Sequence, residues 1–323
     1  MTFQAQAFWV MEPGRGQLRT ETLADPAADQ ARIRTRFSGI SRGTEALVFR
    51  GGVPPSQYQT MRAPFQAGEF PGPVKYGYAS VGEVEQGPAE LCGQTVFCLY
   101  PHQDRYVVPA SAVLPLPEPL PPERAVLAAN AETALNVVWD AGIAPGDRVC
   151  VIGAGVVGCL VAWLAGRIPG TRVTLVDLQP VRAATAEALG VAFAEPDAAP
   201  ADQDVVVHTS ASAGGLATAL ACAGMEARVI EASWFGDRSP AVPLGEAFHA
   251  RRLDLRSSQV GQLPAERRAR WTHRRRLALA LELLAEPCLD CLINGESRFE
   301  ELPARMPQLA ASGGDVLCHR IVY

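Results

Sequence analysis

The sequence lacks the features of nucleic-acid-binding, secreted and membrane-spanning proteins. Its 29 Lys and Arg residues are outnumbered by 34 Asp and Glu residues, and the resulting net charge of -5 argues against nucleic acid as the main partner. It has no apolar run of about 18 residues or more, so we expect no transmembrane helix. The first residues, MTFQAQAFWVMEPGRGQ, contain neither a basic segment nor a long apolar one, so we expect no signal peptide.

The cysteines also fail to form a disulfide framework. Eight of them are spread over 323 residues, which suits a reducing cytoplasm. We find no internal repeats and no low-complexity tract. What the sequence does have is globular composition, with 48% hydrophobic and 20% charged residues. At this length we expect two domains with sizeable cores in a cytoplasmic protein.

The character of the chain changes near residue 124. Residues 1–123 contain short runs such as ASVGEVEQ and RYVVPA, bounded by Gly and Pro, which predict an irregular, mostly antiparallel β domain. The stretch LPLPEPLPPER at 114–124 has five Pro in eleven residues and is typical of a connector. After it, apolar strands such as RVCVIG and RVTLVD alternate with helix-length segments. This alternation predicts an α/β fold with a parallel sheet covered on both faces.

A basic segment follows the last predicted strand of the parallel sheet. AERRARWTHRRRLALALELLAEP at 265–287 predicts one long amphipathic helix. Its basic cluster comprises Arg267, Arg268, Arg270, Arg274, Arg275 and Arg276. The cluster is interpreted either as a solvated face or as a contact for an anionic cofactor or partner. The final stretch, DVLCHRIVY, is expected to return as a strand to the first domain.

The strongest motif in the chain is RVCVIGAGVVGCLVAWLAGR. Gly153, Gly155 and Gly158 form G-x-G-x-x-G between a predicted strand and a predicted helix, as dinucleotide binding requires. The first Gly permits a tight turn, the second lets a pyrophosphate approach the backbone, and the third lets the helix pack closely against the strand. The N–H groups of Val156 and Val157 at the helix start are predicted to hold the phosphates.

An acidic residue ends the next predicted strand. Asp177 follows RVTLV, where a carboxylate accepts hydrogen bonds from the adenosine ribose and repels a 2′-phosphate. The sequence therefore favours NAD over NADP. Arg182 keeps the alternative open, because it could turn toward a phosphate.

The order of these parts resembles the medium-chain dehydrogenase/reductase superfamily over nearly the whole chain. SGISRGTE at 38–45 is similar to the first active-site segment of that superfamily, YGYASVG to its Gly-His-Glu segment, and VCVIGAGVVG to its nucleotide motif. The resemblance implies a GroES-like β-rich catalytic domain at 1–128 and 262–323, and a Rossmann doubly wound domain at 129–261. It further implies hydride transfer to or from a small-molecule substrate, and a homodimer formed through the last Rossmann strand, within RLDLRSSQVG.

The chain departs from this family at the catalytic zinc ligands. The resemblance places Ser41, Tyr78 and Ala129 where zinc-dependent members have their ligands, and none of these is a usual zinc ligand. A structural-zinc lobe is missing too, and Cys288 and Cys291, a lone C-x-x-C, are interpreted as ordinary thiols. We therefore predict no metal. GISRGTE together with the Tyr resembles one subgroup, the bacteriochlorophyllide hydroxyethyl dehydrogenases.

Proton-handling candidates come from the vacated ligand positions and the neighbouring helix. Tyr78 is predicted to donate to a developing oxyanion, with the filling of space as the alternative. Ser41 is a second donor or a small structural residue, and Glu132 is a base or a helix-surface charge. His102 is a relay or an ordinary loop residue. Thr44 and Glu45 are expected to cap the short helix that follows.

Further cofactor contacts follow from the family's pattern. Arg42 matches a basic residue that contacts the pyrophosphate in some members, and its alternative is a surface role. Matches to adenosine-side and nicotinamide-side segments are Thr209, Ser210, Ser212, Ser233, Trp234 and Ser258. Gln103 and Trp234 are candidate walls of the substrate pocket, although Trp234 and Phe235 could equally be core aromatics.

The leading hypothesis is a zinc-independent, NAD(H)-dependent oxidoreductase acting on a conjugated or aromatic carbonyl or alcohol. One alternative is an enzyme similar to the bacteriochlorophyllide dehydrogenases. Another keeps the fold without catalysis, as a nucleotide-binding sensor. The last is a zinc alcohol dehydrogenase with unorthodox ligands, such as Glu132, His102 and a Cys.

Overall fold

A computed structural model describes residues 1–311 and 314–323 of the chain. The chain forms two compact units, Met1–Ala129 with Leu281–Tyr323, and Asn130–Ala280. The segment 262–280, which the sequence assigned to the first domain, therefore groups with the second unit. The reason is packing within that unit, where the ring of Trp271 lies 4.7 Å from the ring of Trp139, centroid to centroid.

The strands are β1 (Thr2–Glu12), β2 (Arg15–Ala24), β3 (Gln30–Ile40), β4 (Ala67–Gly68), β5 (Val74–Lys75), β6 (Ser80–Gln86), β7 (Thr95–Cys98), β8 (Arg105–Pro109), β9 (Leu114–Pro115), β10 (Arg148–Ile152), β11 (Arg172–Val176), β12 (Ala192–Ala194), β13 (Gln203–His208), β14 (Ala223–Glu231), β15 (Asp254–Ser257), β16 (Ile293–Arg298) and β17 (Cys318–Val322). The α-helices are α1 (Arg42–Phe49), α2 (Pro122–Ala125), α3 (Ala128–Ala141), α4 (Val156–Gly166), α5 (Arg182–Ala188), α6 (Ala213–Cys222), α7 (His273–Leu283) and α8 (Leu302–Ala310).

The first unit is built on two mainly antiparallel sheets. One sheet has the order β2-β1-β5-β4, and the other has the order β16-β17-β3-β6-β7-β9, with β8 pairing to β3. Alternate residues of β3 point inward, since Ala31, Ile33 and Thr35 are buried between more exposed neighbours. β17 pairs antiparallel with β3. The predicted return of the C-terminal strand to the first domain is thus confirmed.

The second unit contains a parallel sheet in the order β12-β11-β10-β13-β14-β15. Strands β10 and β13 are fully apolar at their centres, as expected for strands covered by helices on both faces. From β10 the chain builds outward through β11 and β12 on one side, then crosses to β13 on the other. The order therefore reverses between β10 and β13, and the carboxyl edge at such a point is where doubly wound folds bind ligands.

The predicted helix at 265–287 is wrong at both ends. Residues 265–270 form turns, and α7 begins only at His273, where the hydroxyl of the preceding Thr272 accepts the backbone N–H of Arg275 at 3.1 Å. The helix ends at Leu283, before Pro287. In the parts of the chain that the structure describes, every helix is too short or too polar to cross a bilayer.

Candidate functional site

A glycine turn joins β10 to α4 at the carboxyl edge of the parallel sheet. Gly153 has φ +108°, which favours glycine, and a Cβ there would come within 2.8 Å of the backbone N of Ser210. A Cβ on Gly158 would lie 1.9 Å from the carbonyl oxygen of Gly153. Both glycines are thus required by close backbone approach, as the motif predicts.

Gly155 differs from these two glycines because the space beside it is open. A Cβ at this position would meet no atom within 4 Å, and the residue is exposed at the N-cap of α4. The first backbone bond of the helix runs from the N–H of Cys159 to the carbonyl of Gly155. The N–H groups of Val156 and Val157 precede it in the first turn, at the positive end of the helix. This arrangement fits the pyrophosphate of a dinucleotide.

Asp177 follows β11 beside the glycine turn. Its Oδ2 accepts the backbone N–H of Ala154 at 2.7 Å, and its Oδ1 accepts that of Gln179 at 2.9 Å. The carboxylate is half-buried and keeps further lone pairs on both oxygens, so it can also accept ribose hydroxyls. Arg182, the alternative phosphate ligand, is the first residue of α5 and is buried, with 6% of its surface exposed.

A polar cluster that we did not predict joins the ends of β13 and β14. His208 is fully buried; its Nδ1 lies 2.6 Å from Oε2 of Glu231, and its Nε2 lies 2.7 Å from the hydroxyl oxygen of Ser210. Ser212 lies 2.9 Å from Ser210, hydroxyl to hydroxyl, and caps α6 by accepting the N–H of Gly215. One signal was present in the sequence: a His and a Glu each end a strand of the predicted parallel sheet.

The remaining cofactor candidates in this unit have identifiable contacts. Thr209 donates its hydroxyl to the carbonyl of Gly153 at 2.9 Å and thereby fixes the glycine turn. The Ser233 hydroxyl accepts the N–H of Ala211 at 3.0 Å, which links this residue to the same edge. Ser258 donates its hydroxyl to Asp140 at 2.6 Å. Trp234 is partly exposed in the segment after β14.

In the first unit, Tyr78 lies among small hydroxyl groups. The hydroxyl groups of Ser41 and Thr44 lie near enough to its phenol to lower its pKa, so two of the predicted catalytic residues are brought together. Burial, and secondly the negative charge of Glu45, raise the pKa of Tyr78 to about 12, while the two hydroxyls act in the opposite direction. At neutral pH the phenol is therefore protonated and able to donate.

Behind these hydroxyls lies a buried chain of polar groups. Glu45 accepts the backbone N–H of Ser41 at 2.8 Å and pairs with Nε2 of His102 at 2.7 Å. Nδ1 of His102 lies 2.7 Å from the hydroxyl of Ser38, which lies 3.0 Å from the hydroxyl of Tyr323. Thr44 and Glu45 were expected to cap a helix that follows them, but α1 begins at Arg42, so both residues lie inside its first turns. The pairing of Glu45 with His102 was missed, because the two residues are 57 positions apart.

The residues at the family's zinc-ligand positions do not fit a zinc ion. Ser41 and Tyr78 offer hydroxyls, and Ala129, which is buried, offers no side-chain ligand. Within the described residues, no cluster of three or more His, Cys, Asp or Glu side chains has the geometry of a metal site. Cys288 and Cys291 are free and partly buried, in agreement with their interpretation as ordinary thiols.

Two predicted site residues are engaged elsewhere. The guanidinium of Arg42 donates to backbone carbonyls of the C-terminal segment, namely Leu309 at 3.2 Å, Ala311 at 3.3 Å, Gly314 at 2.9 Å and Val316. This structural role disfavours the predicted contact with pyrophosphate. Glu132 is 5% exposed and forms an ion pair with Arg276, whose Nε lies 3.1 Å from its Oε1. Burial raises the pKa of Glu132, while Arg276 opposes that rise.

Comparison with solved structures identifies the fold. The chain superposes over 100% of its length on 99% of L-idonate 5-dehydrogenase from Escherichia coli, with a TM-score of 0.81 and 15% identity. A Sinorhizobium meliloti protein bound to NADP superposes with a TM-score of 0.78 and 18% identity. The match covers 99% of this chain and 100% of that one. An Escherichia coli protein named a short-chain alcohol dehydrogenase, solved with NADH, superposes with a TM-score of 0.78 and 14% identity. The match covers 99% of each chain.

No family model matches the sequence. The structural similarity confirms the expected fold, a GroES-like β-rich domain with a Rossmann doubly wound domain. At these identities it is the fold that is shared.

Proposed function

We propose that this protein is a zinc-independent, NAD(H)-dependent oxidoreductase acting on conjugated or aromatic carbonyls or alcohols. The observation that carries the proposal is the open N-terminus of α4 at Gly155, with Asp177 beside it at the reversal point of the parallel sheet. Structures of the same fold hold NADP or NADH, which supports a nicotinamide cofactor. When bound, the nicotinamide supplies or accepts the hydride.

NAD is preferred over NADP in this proposal because of the charge at Asp177. A 2′-phosphate next to that carboxylate would be repelled, whereas ribose hydroxyls can donate to it. Arg182 does not offset this repulsion in the proposal, because its side chain is buried at the start of α5.

In the reductive direction, Tyr78 donates its proton to the oxygen of the substrate carbonyl. The Ser41 and Thr44 hydroxyls then hydrogen-bond the phenolate that remains, in keeping with their lowering effect on the pKa of Tyr78. A positioned general acid supplies roughly 10²–10⁴-fold in rate. Without a metal to polarise the carbonyl, substrates that spread charge themselves are favoured, namely quinones, enones and aryl-conjugated carbonyls.

The proposal is zinc-independent because Ser41, Tyr78 and Ala129, at the family's ligand positions, are not usual zinc ligands. Metal analysis of protein purified without chelators tests it directly. We expect far less than one zinc per chain, and stoichiometric zinc would favour the alternative of a zinc enzyme with unorthodox ligands.

The proposed function is tested by cofactor binding and by a carbonyl panel. We expect calorimetry to detect NADH binding, Gly155→Val to weaken it at least about tenfold, and Gly245→Val, at another open and exposed glycine of the same unit, to leave it unchanged. The panel contains para-nitrobenzaldehyde, benzylideneacetone and menadione, and turnover is read as oxidation of NADH. Binding without turnover of any carbonyl would favour the nucleotide sensor, and absence of binding would refute the proposal.

Two further features belong to the proposal. The parallel sheet ends at β15, and an edge strand of this kind can pair with its copy in a second chain, which supports a homodimer. Sedimentation of the protein measures the mass, and a monomer at all concentrations would contradict the proposed dimer.

The proposal also includes a cytoplasmic location, which the eight free cysteines support.

A further inference from the structure

Glu45 and His102 form a buried acid–imidazole pair inside the first unit. Their side chains are 4% and 2% exposed, and Oε2 of Glu45 lies 2.7 Å from Nε2 of His102. The sequence offered His102 as a proton relay and Glu45 as a helix cap, but it did not predict that the two form a pair. A buried pair of this kind is a weak source of stability, because desolvation opposes the attraction between the groups.

The hydrogen bonds of this cluster have one consistent direction when the imidazole is neutral. A carboxylate only accepts, so the Nε2–H of His102 donates to Glu45, and Nδ1 must then accept the hydroxyl proton of Ser38. The Ser38 oxygen in turn accepts the hydroxyl of Tyr323. Each group in this chain is satisfied, so the imidazole has one orientation and one tautomer.

Both members of the pair contact the backbone that carries the predicted proton-handling residues. The Glu45 carboxylate accepts the backbone N–H of Ser41 at 2.8 Å. The ring of His102 lies against Gly77, the residue before Tyr78, where a Cβ would come within 3.0 Å of ring atom Cδ2. The pair therefore fixes the two segments whose hydroxyl groups meet, one at Ser41 and the other at Tyr78.

We propose that Glu45 and His102 are positioning residues, which hold the Tyr78 phenol against the Ser41 and Thr44 hydroxyls in the geometry needed for proton donation. This inference rests on the proposed function, in which Tyr78 is the proton donor. Glu45 and His102 do not touch the substrate in this arrangement, and they act through Tyr78.

A double-mutant cycle separates positioning from general structural support. We expect His102→Gln to lower kcat with the carbonyl panel by roughly tenfold or more, with KM and NADH affinity little changed. In a Tyr78→Phe background the same substitution should lower kcat by less than about threefold, because the proton donor is already absent. An equal loss in both backgrounds would overturn the proposal. The control is His319→Gln, which removes another buried imidazole in the same unit, bonded to Ser297 at 2.9 Å.

Two milder variants cover the case in which His102→Gln fails to fold. Ser38→Ala removes only the partner of Nδ1, and Glu45→Gln keeps an acceptor for the Ser41 N–H while removing the charge. Glu45→Gln should show the same dependence on Tyr78, whereas Ser38→Ala should have a weaker effect in the same direction. Full activity in both variants would contradict the positioning role.

A second measurement does not depend on finding a substrate. NMR of protein containing isotope-labelled tyrosine assigns the Tyr78 signal by its loss in Tyr78→Phe. We expect Glu45→Gln and Ser38→Ala to shift this signal, and His319→Gln to leave it in place. An unmoved Tyr78 signal in both test variants would refute the inference even if the enzyme is active. Failure of wild-type protein to bind NADH would instead refute the proposed function.

Discussion

Arg276 donates to Glu132 from inside the second unit, with 3.1 Å between its Nε and Oε1 of the carboxylate. The same guanidinium donates to the side-chain oxygen of Asn136 and to the carbonyl of Val260 at 2.6 Å. One residue of the predicted basic surface and one predicted catalytic acid thus form an internal ion pair. Arg276 is 1% exposed, so these partners replace the water that would otherwise surround its charge.

Removing Arg276 should therefore destabilise the protein strongly. Arg276→Met leaves Glu132 buried without its partner, and we expect a loss of about 3–5 kcal/mol in the free energy of unfolding. The exposed residue Arg268 provides the control, since Arg268→Met should change the free energy of unfolding by less than about 0.5 kcal/mol. Denaturant unfolding measures both. A double variant, Glu132→Leu with Arg276→Met, should recover part of the loss, and failure to recover would argue against the pair as its cause.

Asp177→Ala should weaken NADH binding and relax discrimination against NADPH. The substitution removes an acceptor for the ribose hydroxyls and the charge that repels a 2′-phosphate, and we expect the preference to fall by about tenfold. Titrations with the two nucleotides give the ratio of the dissociation constants. The matched control is Asp197→Ala, an exposed acid in the same unit. An unchanged preference would remove Asp177 from its assigned role.

Tyr78→Phe should lower turnover at least about tenfold with little effect on NADH affinity. The change deletes only the hydroxyl and keeps the ring, which packs edge-on against Tyr76 with 5.9 Å between centroids. The control is Tyr58→Phe in the same unit. Steady-state kinetics with whichever carbonyl of the panel is reduced gives the answer. A fully active variant would assign Tyr78 to packing alone.

Asp290→Asn should reduce stability at neutral pH and have no effect in strong acid. The bidentate pairing with Arg124, at 2.8 and 2.9 Å, holds the pKa of Asp290 below its usual range. A carboxyl with a lowered pKa stabilises the fold above its ordinary pKa of about 3.9, and that contribution disappears as the pH falls through the lowered value.

The size of this effect is limited because Asp290 is 65% exposed, and we expect no more than about 1 kcal/mol. Thermal unfolding of the two proteins at neutral and at strongly acidic pH measures it. The exposed Glu300 provides a control in Glu300→Gln. A difference between Asp290→Asn and wild type that persists in strong acid would contradict the pairing as its cause.

The features that sequence predicted best are local ones. The glycine turn depends on residues within six positions of one another, and its demands on Gly153 and Gly158 follow from backbone geometry. The bonds that Glu132 and Arg42 form were not predicted, because the partners of both residues lie far along the chain. Glu132 meets Arg276 across 144 positions, and Arg42 meets Val316 across 274. A side chain's pairing across such distances depends on the tertiary fold, which a single sequence does not specify.

The Glu231–His208 contact lies between these cases. Its residues face each other in the parallel register of β13 and β14, so a correct alignment of the two strands would have suggested it. The strands themselves were predicted, but their relative register was not, and a shift by one residue would turn one of the two side chains to the opposite face.

The contact between Gly77 and His102 has an evolutionary consequence. Gly77 has φ +135°, and any side chain at position 77 would crowd the imidazole, with 3.2 Å from a Cβ to its Nε2. The identities of positions 77 and 102 should thus change together across homologous chains. We expect a chain with another residue at position 77 to shift or lose the imidazole, and Glu45 would then need a different partner.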